Sequence, residues 1–287
     1  MTDLADLLEL LRYPFMQRAI AAGLLIAVMC ALLGVFVVQR RLSFLGDGLA
    51  HASFGGMGIG TFVIVASGLF EGGAAVFRNP LVIAVPFALL TGLAIAWTRD
   101  RTQLSSDTAI GVFFAVSVAL GVLFFSAVPP DVNIGFNVMD ILFGSILAVR
   151  QTELTVIAVT TTFAVVALGW SWSALGYATF DEELARTDGV PTKALEYGLF
   201  GLAAVVVAVS AVVVGIILMA AYLVIPAAAA RLWARSLASM TLFAVVIGTI
   251  TTVAGVLASF LFDVPTGAAI ILSQAIVFLV AALAPRR

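Results

Sequence analysis

Charge is scarce in this chain. Of its 287 residues, 10% are charged, where a soluble protein carries about 25%. Hydrophobic residues make up 63% and the mean hydropathy is +1.19. A water-soluble fold of this length cannot hide so much apolar surface, so part of the surface must face lipid. The same numbers exclude an intrinsically disordered chain. Cysteine is nearly absent: Cys30 stands alone inside an apolar run, which excludes a disulfide framework and a cysteine-based metal cage. There is no excess of positive charge either. Fourteen basic residues face 16 acidic ones, a net charge of -2, so a nucleic-acid partner is not expected. No phosphate-binding glycine loop follows a strand-like segment. If this chain moves a solute uphill with ATP, a separate chain must hydrolyse it. Histidine occurs once, as His51.

What is present is a series of apolar stretches free of ionisable side chains: 19–39, 52–70, 79–98, 108–130, 154–180, 197–230, 236–262 and 264–285. Each is about long enough to cross a bilayer as a helix, except that 197–230 is too long for one ordinary span of roughly 20 residues. Gly215 and Pro226 interrupt it, so we read two short helices forming a tight membrane hairpin. The fold class expected is an all-α polytopic membrane protein with nine spans, or eight if that stretch is one kinked helix. With nine, Arg40, Arg41, Arg99, Arg101, Arg186, Lys193, Arg231, Arg235, Arg286 and Arg287 share one side, and Arg12, Arg18, Arg78 and Arg150 fall on the other. The positive-inside bias then places the N-terminus outside and the C-terminus in the cytoplasm. The opening stretch 1–16 carries Asp3, Asp6 and Glu9 without a basic leader pattern. It reads as an amphipathic surface segment closed by Pro14. Residues 17–287 read as a single transmembrane domain.

Four segments carry candidate function. In Arg40–Ala52, Asp47 and His51 lie four residues apart, one above the other on a helix face. An ionised aspartate at membrane depth costs at least roughly 2.5 kcal/mol and needs a partner. A carboxylate with an imidazole suits Mn(II), Fe(II) or Zn(II). Two ligands hold such an ion weakly. A symmetric pair of chains supplies four, as expected of a transient site on a pathway. The plainer alternative is that Asp47 faces the helix N-terminal dipole and His51 bonds a backbone carbonyl. Ser43 is the expected N-cap of this helix. In Thr179–Pro191, Asp181 can cap a short cytoplasmic helix with Glu182 and Glu183 in its first turn, Gly189 at its end and Pro191 beyond it. Such a helix suits a protein partner, and an ordinary solvated loop is the alternative. Residues 142–150 are too short to span and can plug an outer entrance. Pro226, among alanines, reads as a packed kink or as a gate. The glycines Gly55, Gly56, Gly58 and Gly60 read as close helix packing rather than as a nucleotide loop.

These segments, taken in order, resemble the membrane permease subunit of ATP-binding-cassette importers for manganese, zinc or iron. The resemblance runs from about Phe15 to the C-terminus. It is carried by Arg-Arg-Leu-Ser-Phe-Leu-Gly-Asp-Gly-Leu-Ala-His at 40–51, Ser-Asp-Thr-Ala-Ile-Gly at 106–111, Leu-Phe-Gly-Ser-Ile-Leu at 142–147, Asp-Glu-Glu-Leu-Ala-Arg-Thr-Asp-Gly-Val at 181–190 and Ile-Pro-Ala-Ala-Ala-Ala-Arg-Leu at 225–232. It implies the permease fold of cobalamin and siderophore importers and a place in the inner membrane of a bacterium. It implies Asp47 and His51 as ligands of the transported cation, with no permanently bound cofactor and no catalysis in this chain. It implies a coupling helix at about 180–191, with Asp181, Glu182, Glu183, Ala185, Arg186 and Gly189 meeting the ATPase. The partners implied are a second copy of the chain, a cytoplasmic ATPase and an extracellular solute-binding protein. An ion-coupled secondary metal transporter is the rival. Its weakness is that intramembrane charge is nearly confined to Asp47. A non-transporting membrane scaffold leaves the Asp47–His51 spacing without a purpose.

Overall fold

The computed structural model describes residues 13–68, 79, 81–102, 104–129, 142, 144 and 146–284. The amphipathic reading of 1–16 falls almost wholly outside them. Among the described residues, nine helices are long and apolar enough to cross a membrane. They are α1 (Pro14–Gln39), α2 (Leu45–Ala66), α3 (Leu81–Thr102), α4 (Ser106–Ser126), α5 (Gln151–Phe180), α7 (Thr192–Val214), α8 (Ile216–Trp233), α9 (Leu237–Phe262) and α10 (Thr266–Leu283). A tenth, α6 (Glu182–Thr187), is one short turn and a half between α5 and α7. The fold is all-helical, as read.

The long apolar stretch divides at Gly215, whose φ of +95° ends α7 and lets α8 begin one residue later. Pro226 does not divide it. It lies inside α8, buried, because neighbouring helices can re-satisfy the carbonyl that a proline leaves without its N–H. Sequence spacing alone allowed eight spans, and the left-handed glycine makes nine.

The helix ends sort into two sets. At one end Arg99 pairs with Glu196, Lys193 with Asp100 at 2.8 Å, and Arg40 with Thr179 at 2.9 Å. At the other, Gly144 lies against the backbone of Val214 and Gly215, and Gly267 against Leu218. Successive spans alternate between these ends, as the arginine pattern requires. In the connection between α4 and α5, Ile146–Ala148 forms one 3-10 turn with Ile146 buried. The turn packs chiefly on α1, and Gly144 just before it lies against the α7–α8 break.

Helices α1, α2 and α7 form the centre of the bundle, and α4, α5 and α10 its periphery. On α5, Val159, Phe163, Val166 and Trp170 are all exposed at spacings of three and four residues. A continuous apolar stripe of that kind is a lipid-facing surface. Inside, α2 and α4 run parallel: Gly48 meets Ile110, Gly55 meets Ser117 and Gly58 meets Gly121. A Cβ at Gly55 would sit 2.6 Å from the Ser117 carbonyl oxygen, and one at Gly58 would sit 2.7 Å from that of Gly121. Glycine is required there so that two backbones can touch, which is how helices associate where lipid removes the hydrophobic drive. Gly56 faces α3 through Ala84 and Phe87. The packing role read for Gly55, Gly56 and Gly58 holds.

Candidate functional site

Helix α2 starts within the corner that follows α1. Its N-cap is Phe44, with no side-chain cap bond, so the expectation for Ser43 is wrong. The chain leaves α1 through Arg41 at φ +58° and re-enters a helix at Leu45, too tight a path for Ser43 to face the free N–H groups. The helix therefore begins before the charged residues. Asp47 sits in its first turn and His51 one turn on, as their spacing predicts.

Almost every position of α2 between 45 and 61 is buried. The exceptions are Asp47, His51 and Ile59, which at spacings of four and eight residues lie on one stripe. The side chains of Asp47 and His51 are 38% and 18% exposed. The two polar groups thus share the one open face of the central helix.

His51 Nδ1 lies 3.0 Å from the Asp47 backbone carbonyl oxygen and 3.5 Å from Asp47 Oδ1. A carbonyl only accepts, so Nδ1 is the donor of this contact, which in the neutral ring leaves the lone pair on Nε2. This is the arrangement in which a metal-binding histidine is usually held, one ring nitrogen donating to a carbonyl and the other left for the ion. Phe114 of α4 packs on the imidazole with ring centroids 4.4 Å apart and limits its rotation. Both elements of the plainer reading are also present. Asp47 gains from the helix dipole, and His51 bonds a carbonyl. Neither engages Nε2. Among the described residues no group of three or more His, Cys, Asp or Glu side chains is close enough to hold a metal, so one chain offers at most this pair.

The second site is α6. Asp181 caps it, its Oδ1 accepting from the Leu184 N–H at 2.9 Å, and Glu182 and Glu183 occupy the first turn. Gly189, at φ +83°, turns the chain out, with Val190 N–H donating to the Ala185 carbonyl. The Tyr177 hydroxyl donates to Asp188 at 2.6 Å, tying the far end of α6 back to α5. The expected capping, ending and charge pattern are all in place. Ala185 is buried against the rest of the chain, while Phe180 is 68% and Leu184 51% exposed. Sequence reading missed these two large apolar residues at the tip because Phe180 looked like the end of a span.

A third group was not anticipated. Arg40 Nε donates to the Thr179 hydroxyl, and its Nη2 is buried without a partner. Burial pushes this guanidinium below its ordinary range, Glu196 and Glu182 hold it up, and Arg99 pushes it down again.

Nine helices long and apolar enough to cross a membrane among the described residues, the ionisable side chains of a central helix on one face, and a charged helix at one end fit a membrane permease. The chain belongs to the ABC 3 transport family, whose model matches residues 12–284. It is 30% identical over 273 residues to the manganese transport system membrane protein MntC of Halalkalibacterium halodurans, covering 95% of this chain and 88% of that one. It is 29% identical over 266 residues to the high-affinity zinc uptake system membrane protein ZnuB of Haemophilus influenzae, covering 93% and 96%. Among solved structures it superposes on a chain of PsaBC from Streptococcus pneumoniae, solved in complex with Fab, with a TM-score of 0.81 and 28% identity, covering 99% of this chain and 97% of that one.

Proposed function

We propose that this chain is the permease of an importer of divalent transition-metal ions, manganese, zinc or iron, and that Asp47 and His51 are ligands of the ion in transit. The observation that carries this reading is the open face of α2, on which a carboxylate and an imidazole are the only polar side chains of the stretch 45–61 that are not buried. The names of the relatives given above support the cargo class. Two copies of the chain meet along this stripe and supply two carboxylates and two imidazoles, a set suited to a borderline divalent cation. Each ion is held weakly enough to leave.

Residues 17–287 act as one transmembrane domain in a bacterial inner membrane, with the N-terminus outside and the end bearing Arg40, Arg99 and α6 in the cytoplasm. The uneven distribution of arginine supports that direction. Helix α6 docks a separate ATPase through Phe180 and Leu184, ringed by Asp181, Glu182, Glu183 and Arg186. Ala185 seats the helix and Gly189 turns it out. A solute-binding protein delivers the ion at the other end, above the docked Ile146–Ala148 turn. ATP-driven movement of α6 alternately opens the seam to each side.

The test is uptake of radioactive manganese or zinc by vesicles holding permease, ATPase and binding protein. Asp47→Ala and His51→Ala are each expected to lower ATP-dependent uptake by about tenfold or more, the scale of a lost ligand, while leaving assembly intact. Unchanged uptake in both variants refutes the ligand assignment. Uptake that proceeds without any ATPase identifies the chain instead as a secondary transporter.

A further inference from the structure

The proposed movement begins at α6 and must reach α2, yet α5, which leads into α6, packs chiefly on α1 and α7 rather than on α2. We propose that Arg40 is the positioning residue that transmits displacement of the α5–α6 corner to α2 and thereby to Asp47 and His51. This inference rests on the function proposed above.

Three features place Arg40 at that junction. The first is its tie to α5. Arg40 Nε donates to Thr179 Oγ1 at 2.9 Å across 139 residues of sequence. Thr179 stands two positions before Asp181, the cap of α6, and its hydroxyl in turn donates to the Leu175 carbonyl oxygen at 2.6 Å. The guanidinium therefore grips the last turn of α5 where α6 begins.

The second is a rigid link from Arg40 to α2. The Arg40 N–H bonds the Phe36 carbonyl at 2.9 Å, the Arg41 N–H bonds that of Val38 at 3.2 Å, and the Leu42 N–H bonds that of Val37 at 2.8 Å. Arg41 adopts φ +58°, a left-handed conformation that a side chain larger than glycine's disfavours. Leu42 and Leu45 are fully buried. A corner wound this tightly has no slack, so a pull on Arg40 moves the first turn of α2, which holds Asp47.

The third is an incomplete bonding set. Arg40 Nη2 is buried and unpartnered although carboxylates are near: Glu182 of α6 and Glu196 of α7 both act on this guanidinium. Glu196 is already held by Arg99 of α3. Glu182 is exposed and makes no ion pair among the described residues. A buried donor without an acceptor is unfavourable, so the present arrangement leaves Arg40 a reason to follow Glu182 when α6 shifts. Glu196, Glu182 and Arg99 thus act electrostatically on Arg40, one from each of three other helices.

The test reads coupling rather than activity alone. Permease–ATPase complexes in vesicles, supplied with binding protein and manganese, are assayed for ATP hydrolysis and for uptake in one sample. Arg40→Lys keeps the charge and loses the planar fork. Thr179→Val keeps the shape and removes the acceptor of Arg40 Nε, together with the hydroxyl's local bond to Leu175. In each variant the ions taken up per ATP hydrolysed are expected to fall roughly tenfold, the scale of a coupling free energy, while ATP hydrolysis stays within about twofold. A ratio unchanged in Thr179→Val overturns the proposal. So does an equal fall in hydrolysis and uptake, which marks a merely structural role. Should Arg40→Lys fail to assemble, Thr179→Val decides alone. A wild-type complex that takes up none of manganese, zinc and iron with ATP refutes the importer reading itself and is recognised before any variant is made.

Discussion

Helices α2 and α6 are built on opposite plans. Nearly every residue of α2 between 45 and 61 is buried, and the few that are not include its only ionisable side chains. Nearly every residue of α6 is exposed, and Ala185 alone is buried. In α2 the polar residues are the exception, so Asp47 and His51 carry information. In α6 charge is ordinary for a solvated turn, and the informative residues are the apolar ones that remain uncovered, Phe180 and Leu184. A polar group in an apolar setting is costly to keep without a partner, and neighbouring large apolar groups left in water are unfavourable to a smaller degree. Each marks a place where something outside the single chain completes the structure: an ion and a second copy in one case, a protein surface in the other.

That contrast is broken most severely by filling the α2–α4 seam. Gly58→Leu drives a side chain into the Gly121 backbone, and overpacking of this kind costs about 1–3 kcal/mol or more. The purified variant is expected to lose most of its folded yield and to melt well below the parent in a detergent thermal-shift assay. A parent-like melting curve shows that the two backbones do not touch there.

A smaller effect sharpens the other half. Leu184→Asp is expected to weaken binding of the ATPase by roughly ten- to a hundredfold, as for an apolar anchor at the centre of an interface. The stability of the isolated permease should change by no more than about 0.5 kcal/mol, because the residue is exposed. Ala185→Leu should do the reverse of this, lowering permease stability first. Titration of ATPase onto permease in nanodiscs, beside thermal melts, separates the two.

The smallest effect is at the cap. Asp181→Ala removes the acceptor of the Leu184 N–H, a loss of about 1 kcal/mol. It should speed hydrogen exchange at the amides of Glu183 and Leu184 without altering exchange in the core of α5. Equal exchange before and after the substitution means that Asp181 does not hold the helix.

Much of this was legible from the residues, and the failures have physical causes. Apolar runs bounded by arginine located the spans, because the desolvation of charge is the strongest local rule in a bilayer. The same rule misplaced helix ends. Arg99 and Asp100 continue α3 because Glu196 and Lys193 pair with them from α7, and partners distant in sequence cannot be seen in a local window. Asp47 and His51 were legible as neighbours on one helix face, because a spacing of four residues is a local signal. The cap at Asp181 was legible because capping is settled by three neighbouring residues. The cap expected at Ser43 failed because the corner before α2 is set by the packing of Leu42 and Leu45. Arg40 was visible only as one of two basic residues marking a membrane face. Its grip on Thr179 depends on how α1 and α5 dock.

The ligand role of Asp47 and His51 is tested most directly by anomalous diffraction from crystals of the assembled permease soaked in manganese or zinc. The account predicts a single peak on the axis between two copies, about 2.0–2.2 Å from His51 Nε2 and from Asp47 carboxylate oxygens. A peak elsewhere in the chain, or an α2 stripe that faces acyl chains in the assembly, contradicts it.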